Sequence, residues 1–462
     1  MPKTPLKPVV TIACTTVLLL ATTALSTAPA TAAPETTAPA ATDTSATTTG
    51  TSSTSAAAVG ARPALPAGTM RTVSVGTAAQ FQSAIAAATP GTAILLRKGS
   101  YSGPFFLQKS GTAKAPISIQ PFGDGPVTLT ASLRMPSCGA TGPDINRTVR
   151  FRNGASYWVI QGLNISGGVY IPGQGVQSAY NWMQRSVRNE DWRTLRAVPG
   201  RGKNDRAAAA GAISYVAARS GATLRPIDGV KLLGNTITRK GIHVTMSRYG
   251  TISNNTITDI ACGVGPGIWF GTYSDGWSVT GNRIARIAPS SVKHYMQEGI
   301  RVDTGSNYNL IDGNSVSDLP GDGRAFTTDV TASYNTFTHN SAANVAIGLN
   351  DQMAGWGNLW AHNTVTGYRS AGIAFRMMDA PLRVPSMATS TYDSTVSCNT
   401  VSGTGSGLQV GAMIKSRIAD NKLPSIKLGP NVSSYWVSQG NTFNGRAVAP
   451  TSGATTIRAG AC

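Results

Sequence analysis

An asparagine returns at the same place in a short apolar frame, and this repeat limits what the 462-residue chain can fold into more than any other feature. The unit reads apolar residue, two spacers, Asn, one spacer, apolar residue: Leu232/Asn235/Ile237, Ile252/Asn255/Ile257, Val279/Asn282/Ile284, Ile311/Asn314/Val316. It continues through Asn335, Asn363, Asn399, Asn421 and Asn441. The core unit is about twenty residues with insertions in some turns, and a period of that length means stacked coils.

Between the Asn turns runs a second apolar-alternating pattern: Gly241-Ile-His-Val, Gly267-Ile-Trp-Phe, Gly299-Ile-Arg-Val, Gly372-Ile-Ala-Phe and Gly407-Leu-Gln-Val. Two or three short strands per unit, with side chains alternating in and out, predict three parallel sheets wound into a solenoid. An inward Asn at the same turn of every coil can bond the backbone of the coils above and below, so the column is read as structural. Thr77 and Gln80, spaced as a capping box, open an amphipathic helix with Phe81 and Ile85 that Pro90-Gly91 ends. At the end of a solenoid it would cover the apolar interior of the first coil.

Composition agrees with an all-β chain. Only 13% of residues are charged, 51 are Gly and 7% are aromatic, which excludes a coiled coil and a highly charged disordered protein. Lys3 and Lys7, the apolar run Val9 to Leu25 and Ala30-Thr31-Ala32-Ala33 have the form of a secretory signal peptide over 1–33. Residues 34–70 form a Thr/Ala/Ser/Pro-rich tract that cannot bury enough surface to order itself, so a disordered linker is expected. The solenoid then spans 71–462, with an Arg-rich insertion near 172–228 read as a lid or wall. Removing Cys14 with the signal leaves Cys138, Cys262, Cys398 and Cys462, enough for two disulfides with three connectivities open; Cys398 with Cys462 is preferred because it would fasten the chain end.

The run from Val73 through Ala79-Gln80-Phe81, Ile94-Leu95-Leu96, Gly99-Ser-Tyr, Ser110-Gly-Thr-Ala, Pro116-Ile-Ser-Ile and Tyr157-Trp-Val-Ile-Gln-Gly-Leu-Asn-Ile-Ser carries a resemblance. It is similar to the opening coils of right-handed parallel β-helix proteins of the pectate-lyase-like superfamily, nearest to chondroitinase-B-like and alginate polysaccharide lyases. The resemblance implies a right-handed parallel β-helix over most of 71–445, with a sugar chain lying along the outer face of its first sheet. It selects no reaction, because lyases, glycosidases, epimerases, esterases and noncatalytic tailspikes share the fold.

If Ile242, Ile268, Ile300, Phe375, Leu408 and Ile426 point inward, alternation sends His243, Trp269, Arg301, Asp303, Arg376, Gln409 and Lys427 outward, with Asn350 following in the same way. Aromatic, cationic and amide groups would then form a track in successive coils, about 4.8 Å apart. Lys293, Tyr295 and Glu298 lie in the turn that delivers the chain onto this face.

A net charge of +19, lowered by two when the signal leaves, favours an anionic polymer. The reading is a secreted, monomeric enzyme that cleaves a uronate-containing polysaccharide by β-elimination. Arg301 and Arg376 would clamp the carboxylate, His243 or Lys293 would be the base and Tyr295 the acid. Trp269, Gln409, Lys427 and Asn350 would bind sugar, and Glu298 with Asp303 are the ligands available to a Ca²⁺ ion. The alternatives are a glycoside hydrolase using two of Asp303, Asp329, Asp351 and Asp379, and a noncatalytic polysaccharide-binding solenoid. No nucleic-acid-binding motif and no apolar stretch of membrane-spanning length follows the signal region.

Overall fold

The computed structural model describes residues 62–140, 144–175, 221, 223–291, 297–329, 331–352, 355–375, 391–429, 432–453 and 462. The signal region and most of the tract read as linker lie outside them. Residues 62–70, also assigned to that linker, carry defined contacts: Gln120 Nε2 donates to Pro63 O at 2.9 Å and Gln161 Nε2 to Ala64 O at 2.8 Å.

The chain winds as a right-handed parallel β-helix. Three sheets of 13, 11 and 10 strands run its length, each coil contributing one strand per sheet, and two short two-stranded sheets sit at a turn. The 11-stranded sheet carries the candidate site. Its strands are β1 (Phe105–Leu107), β2 (Val149–Phe151), β3 (Val169–Pro172), β4 (Ile242–Thr245), β5 (Ile268–Gly271), β6 (Glu298–Val302), β7 (Arg324–Thr328), β8 (Ile347–Asp351), β9 (Ala371–Phe375), β10 (Ser406–Val410) and β11 (Ile426–Leu428).

Alternation inside these strands builds the core. Ile242, Ile268, Ile300, Phe326, Leu349, Ile373, Leu408 and Ile426 are in register and buried. The glycines that open the strands allow the coils to close on one another. A Cβ on Gly299 would fall 2.5 Å from Val316 Cγ1 and 2.7 Å from Ala325 O, so any side chain there would wedge two coils apart.

The asparagine column exists, with Asn340 added and two expected members, Asn335 and Asn441, at another turn. Asn235, Asn255, Asn282, Asn314, Asn340, Asn363, Asn399 and Asn421 form it; Asn235 Oδ1 accepts from Leu163 N, and each later amide oxygen accepts from the backbone N–H of the Asn before it. Asn335 belongs instead to a second column, Asn309–Asn335–Asn358, at another turn. Asn441 likewise holds that turn by accepting from Ser416 N. Phe337/Asn340/Ala342 fits the repeat frame, and Asn335 had displaced it only because the two lie five residues apart.

The cap is a helix, α1 (Ala78–Ala86), whose N-cap Thr77 accepts from Gln80 N. The Gln80 side chain reaches back to Gly76 N at 2.8 Å, and Phe81 and Ile85 are buried. Disulfides join Cys138 to Cys262 and Cys398 to Cys462, the second being the pair expected. The Arg-rich insertion leaves the coil through an antiparallel bridge between Gln174 and Arg225, and 176–220 lies outside the described residues.

Candidate functional site

Period-two alternation and the parallel register put one outward row across the 11-stranded sheet. It reads Phe106, Arg150, Tyr170, His243, Trp269, Arg301, Thr327, Asn350, Ala374, Gln409, Lys427. Six of the expected residues therefore share one line. Asp303 is outward just past the end of β6. Lys293, Tyr295, Arg376 and Asp379 lie outside the described residues.

The middle of this row is not the open face that alternation suggests. His243 is 3% exposed, Trp269 7%, Arg301 8% and Asn350 1%, whereas Lys427 is exposed and Gln409 partly so. Rings one coil apart cover each other: His243 stacks on Trp269 with centroids 4.1 Å apart and packs tilted by 37° against Tyr170 at 5.0 Å. Beside them a clasp holds Asp144 and Arg147. Asp144 Oδ2 bonds both Arg147 Nη1 and Lys240 Nζ, while Arg147 donates to the carbonyls of Gly241 and Val264. Burial, reinforced by the Arg147 charge, holds the His243 imidazole well below its usual pKa, so it is neutral.

Arg301 is the hub of the site. Its Nη1 donates to Glu298 Oε1 at 2.8 Å, its Nε to Asp303 Oδ2 at 3.1 Å and its Nη2 to Asp329 Oδ2 at 2.6 Å. Arg324 adds a second cation on Glu298 Oε1 at 3.3 Å. Burial works against the Arg301 charge, but Asp303, Glu298 and Asp329 outweigh it and raise its pKa. Asp303 and Asp329 occupy equivalent positions on neighbouring coils: Asp303 N donates to Phe270 O, and Asp329 N to Val302 O. One coil step separates their backbones, about 4.8 Å, and they share the Nε/Nη2 edge of the guanidinium.

This geometry revises three roles. A guanidinium already facing three carboxylates has no free fork for a substrate carboxylate, so Arg301 is an organiser of acids rather than a clamp. Glu298 and Asp303 turn the oxygens that a Ca²⁺ ion would need toward a cation, so this donor set does not fit a hard ion requiring several oxygens. Among the described residues, no three His, Cys, Asp or Glu side chains converge as a metal-ligand set. Asp351, offered as a hydrolytic carboxylate, pairs in register with Thr328 and Phe375 on the inward row and is 0% exposed. Burial raises its pKa to about 7, against a hydrogen bond from Asn358.

Several polar atoms of the outer face have no hydrogen-bond partner: both ring nitrogens of His243, Trp269 Nε1, Thr327 Oγ1, both amide atoms of Asn350 and Glu298 Oε2. Buried polar groups are ordinarily paired. Six of these seven atoms belong to the row from His243 to Asn350. The Asp329–Arg301 ion pair and the place of Thr327 in the row, in register with Asn350, were missed because their coil, Arg324-Ala-Phe-Thr-Thr-Asp, lacks the opening Gly-Ile signature.

Residues 215–384 match the family model "Right handed beta helix region". No curated protein is significantly similar in sequence. Among solved structures, the chain is similar to an alginate lyase from Paenibacillus sp. str. FPU-7, at 16% identity over 74% of this chain and 98% of the other, TM-score 0.30. A PL6 family polysaccharide lyase from Pseudopedobacter saltans is 12% identical over 81% and 93%, TM-score 0.38. A Family 28 exopolygalacturonase from Yersinia enterocolitica is 13% identical over 74% and 68%, TM-score 0.43. These likenesses assign no role to any residue here.

Proposed function

We propose that the protein is a secreted, monomeric enzyme that hydrolyses glycosidic bonds of a polysaccharide, with Asp303 and Asp329 as its working carboxylates. The observation that carries the reading is their placement one coil apart on a shared guanidinium edge, in line with the Trp269–His243 stack. Glycosidases flank the scissile bond with two carboxyl groups, and the closer arrangement sets them about 5–5.5 Å apart. One group would protonate the leaving oxygen while the other attacks the sugar or activates water. Arg301 fixes the two carboxylates relative to each other through its Nε and Nη2. Trp269 and Tyr170 supply aromatic edges and faces for sugar rings, and the two disulfides suit an oxidising compartment.

β-Elimination is the second reading, favoured by His243. A neutral imidazole, on the row two coils from Arg301, can accept a proton. Its cations would have to come from outside the Arg301 cluster.

One experiment separates these. The purified protein is incubated with alginate, pectate, chondroitin, hyaluronan, glucuronan and neutral glycans, with and without EDTA. New reducing ends without ultraviolet absorbance, abolished in Asp303→Asn and unaffected by EDTA, are expected. Absorbance of an unsaturated uronate would replace hydrolysis by elimination. Neither signal, with retained binding, would leave a noncatalytic binding solenoid.

A further inference from the structure

We infer that the outer face of the first two coils, under α1, is a binding pocket for a carboxylate-bearing sugar, separate from the Arg301 cluster. A cavity of about 660 Å³ opens there, walled by Gln82 and Ile85 of α1 and by Pro104, Phe106, Gln108 and Lys109 around β1. Phe106 stands at its edge as the first member of the outward row, with Arg150 next to it in register.

What sets the cations here apart is their position on an aromatic face at the mouth of a cavity, not their freedom from carboxylates, which Arg71 and Arg369 share by bonding neutral oxygens. Arg97, Arg147, Arg248, Arg286 and Arg301 each face a carboxylate. Arg152 instead lies over the Phe106 ring at 3.5 Å, with Arg150 5.6 Å from the same centroid. Arg150 spends Nε on Arg147 O and Nη2 on Asn146 Oδ1, both neutral acceptors. No described carboxylate forms a salt bridge with Arg150, Arg152 or Lys109. Burial first, then the neighbouring Arg152 charge, lowers the Arg150 pKa, a repulsion that an incoming anion would relieve. A guanidinium lying on an aromatic face keeps its in-plane N–H donors for a carboxylate fork. Gln82 and Gln108 offer amide donors and acceptors suited to hydroxyls. Anionic charge, hydroxyls and an apolar ring face are together the chemistry of a uronate.

Register ties the pocket to the cluster. Arg150, Tyr170, His243, Trp269 and Arg301 are successive members of one row, so four coil steps, about 19 Å, separate Arg150 from Arg301. An acidic chain anchored at Arg150 and Arg152 would run over the aromatic stack toward Asp303. That the ligand is a sugar rests on the polysaccharide reading above.

The test is calorimetric binding of oligogalacturonate, oligoguluronate and a neutral oligosaccharide of equal length to the wild-type protein, Arg150→Gln/Arg152→Gln and Asp303→Asn. The expected result is at least tenfold tighter binding of an acidic oligomer than of the neutral one, lost in the double variant and kept in Asp303→Asn. A thermal melt confirms that the double variant is folded. Acidic binding unchanged in the double variant overturns the pocket while leaving the cleavage reading intact. Binding that needs the two arginines in a protein that cleaves nothing supports the pocket and removes the hydrolase reading. Equal affinity for neutral and acidic oligomers overturns the proposal.

Discussion

His243 lies flat against Trp269, their planes within 5° and their centroids 4.1 Å apart. The pair occupies one register position on adjacent coils, so the coil step itself imposes the stack. Trp269→Ala should open water to the imidazole. The His243 pKa is expected to rise toward its usual range, read by NMR titration, and stability should fall by about 3–5 kcal/mol for loss of a buried aromatic.

Arg301 holds three carboxylates at the bottom of the site, and removing it leaves them facing one another. Arg301→Gln should cost about 3–5 kcal/mol at neutral pH. Denaturant titrations of both proteins would check this, and a loss under about 1 kcal/mol, the range of an exposed ion pair, would remove Arg301 from its organising role.

Asp275 occupies a place made for an amide. Its Oδ1 accepts from Asn307 N at 2.7 Å, as Asn307 Oδ1 in turn accepts from Ser333 N, but its Oδ2 is buried without a partner. Asn307 Nδ2 meets the corresponding need by donating to Gly305 O. Burial pushes the Asp275 carboxyl up to about 8 from the usual 3.8, so between these values the folded state binds more protons than the unfolded. Stability is therefore present at acid pH and is lost as pH rises through this window. Asp275→Asn should remove the loss, giving a melting temperature several degrees above wild type at pH 8–9 and little change at pH 4.

Asn314 shows what one rung of the long column contributes. It donates to Val279 O at 2.8 Å and accepts from Asn282 N at 3.0 Å. Asn314→Ala would orphan a buried donor and a buried acceptor together, costing about 2–5 kcal/mol. Asn335→Ala should cost a similar amount through Asn309 N and Ser306 O, though it belongs to the other column. Urea unfolding of the two variants is the measurement.

The Asn frame, the Gly-Ile runs and the cap at Thr77 were legible because each is a local pattern that recurs or stands alone, whereas the Cys398–Cys462 pair was one preference among three open connectivities. Parallel stacking copies a two-residue alternation from coil to coil, so the line from His243 to Lys427 could be drawn from sequence. Where the frame lapses, legibility lapses too: the coil from Arg324 to Asp329 has no Gly-Ile opening, and Asn335 masks Asn340 five residues on.

By itself the sequence determined the solenoid, its inner apolar and asparagine columns, and which face bears His243, Trp269 and Arg301, because these follow from period and alternation. Tertiary structure alone decided what those side chains face. Arg301 meets carboxylates from its own strand and from the next coil, 28 residues away at Asp329. Asp351 falls on the inward parity beside Asn350, and Phe106 collects two arginines from a coil some 45 residues later. Such pairings depend on how far each insertion displaces the next coil, and nothing in the local pattern encodes that distance.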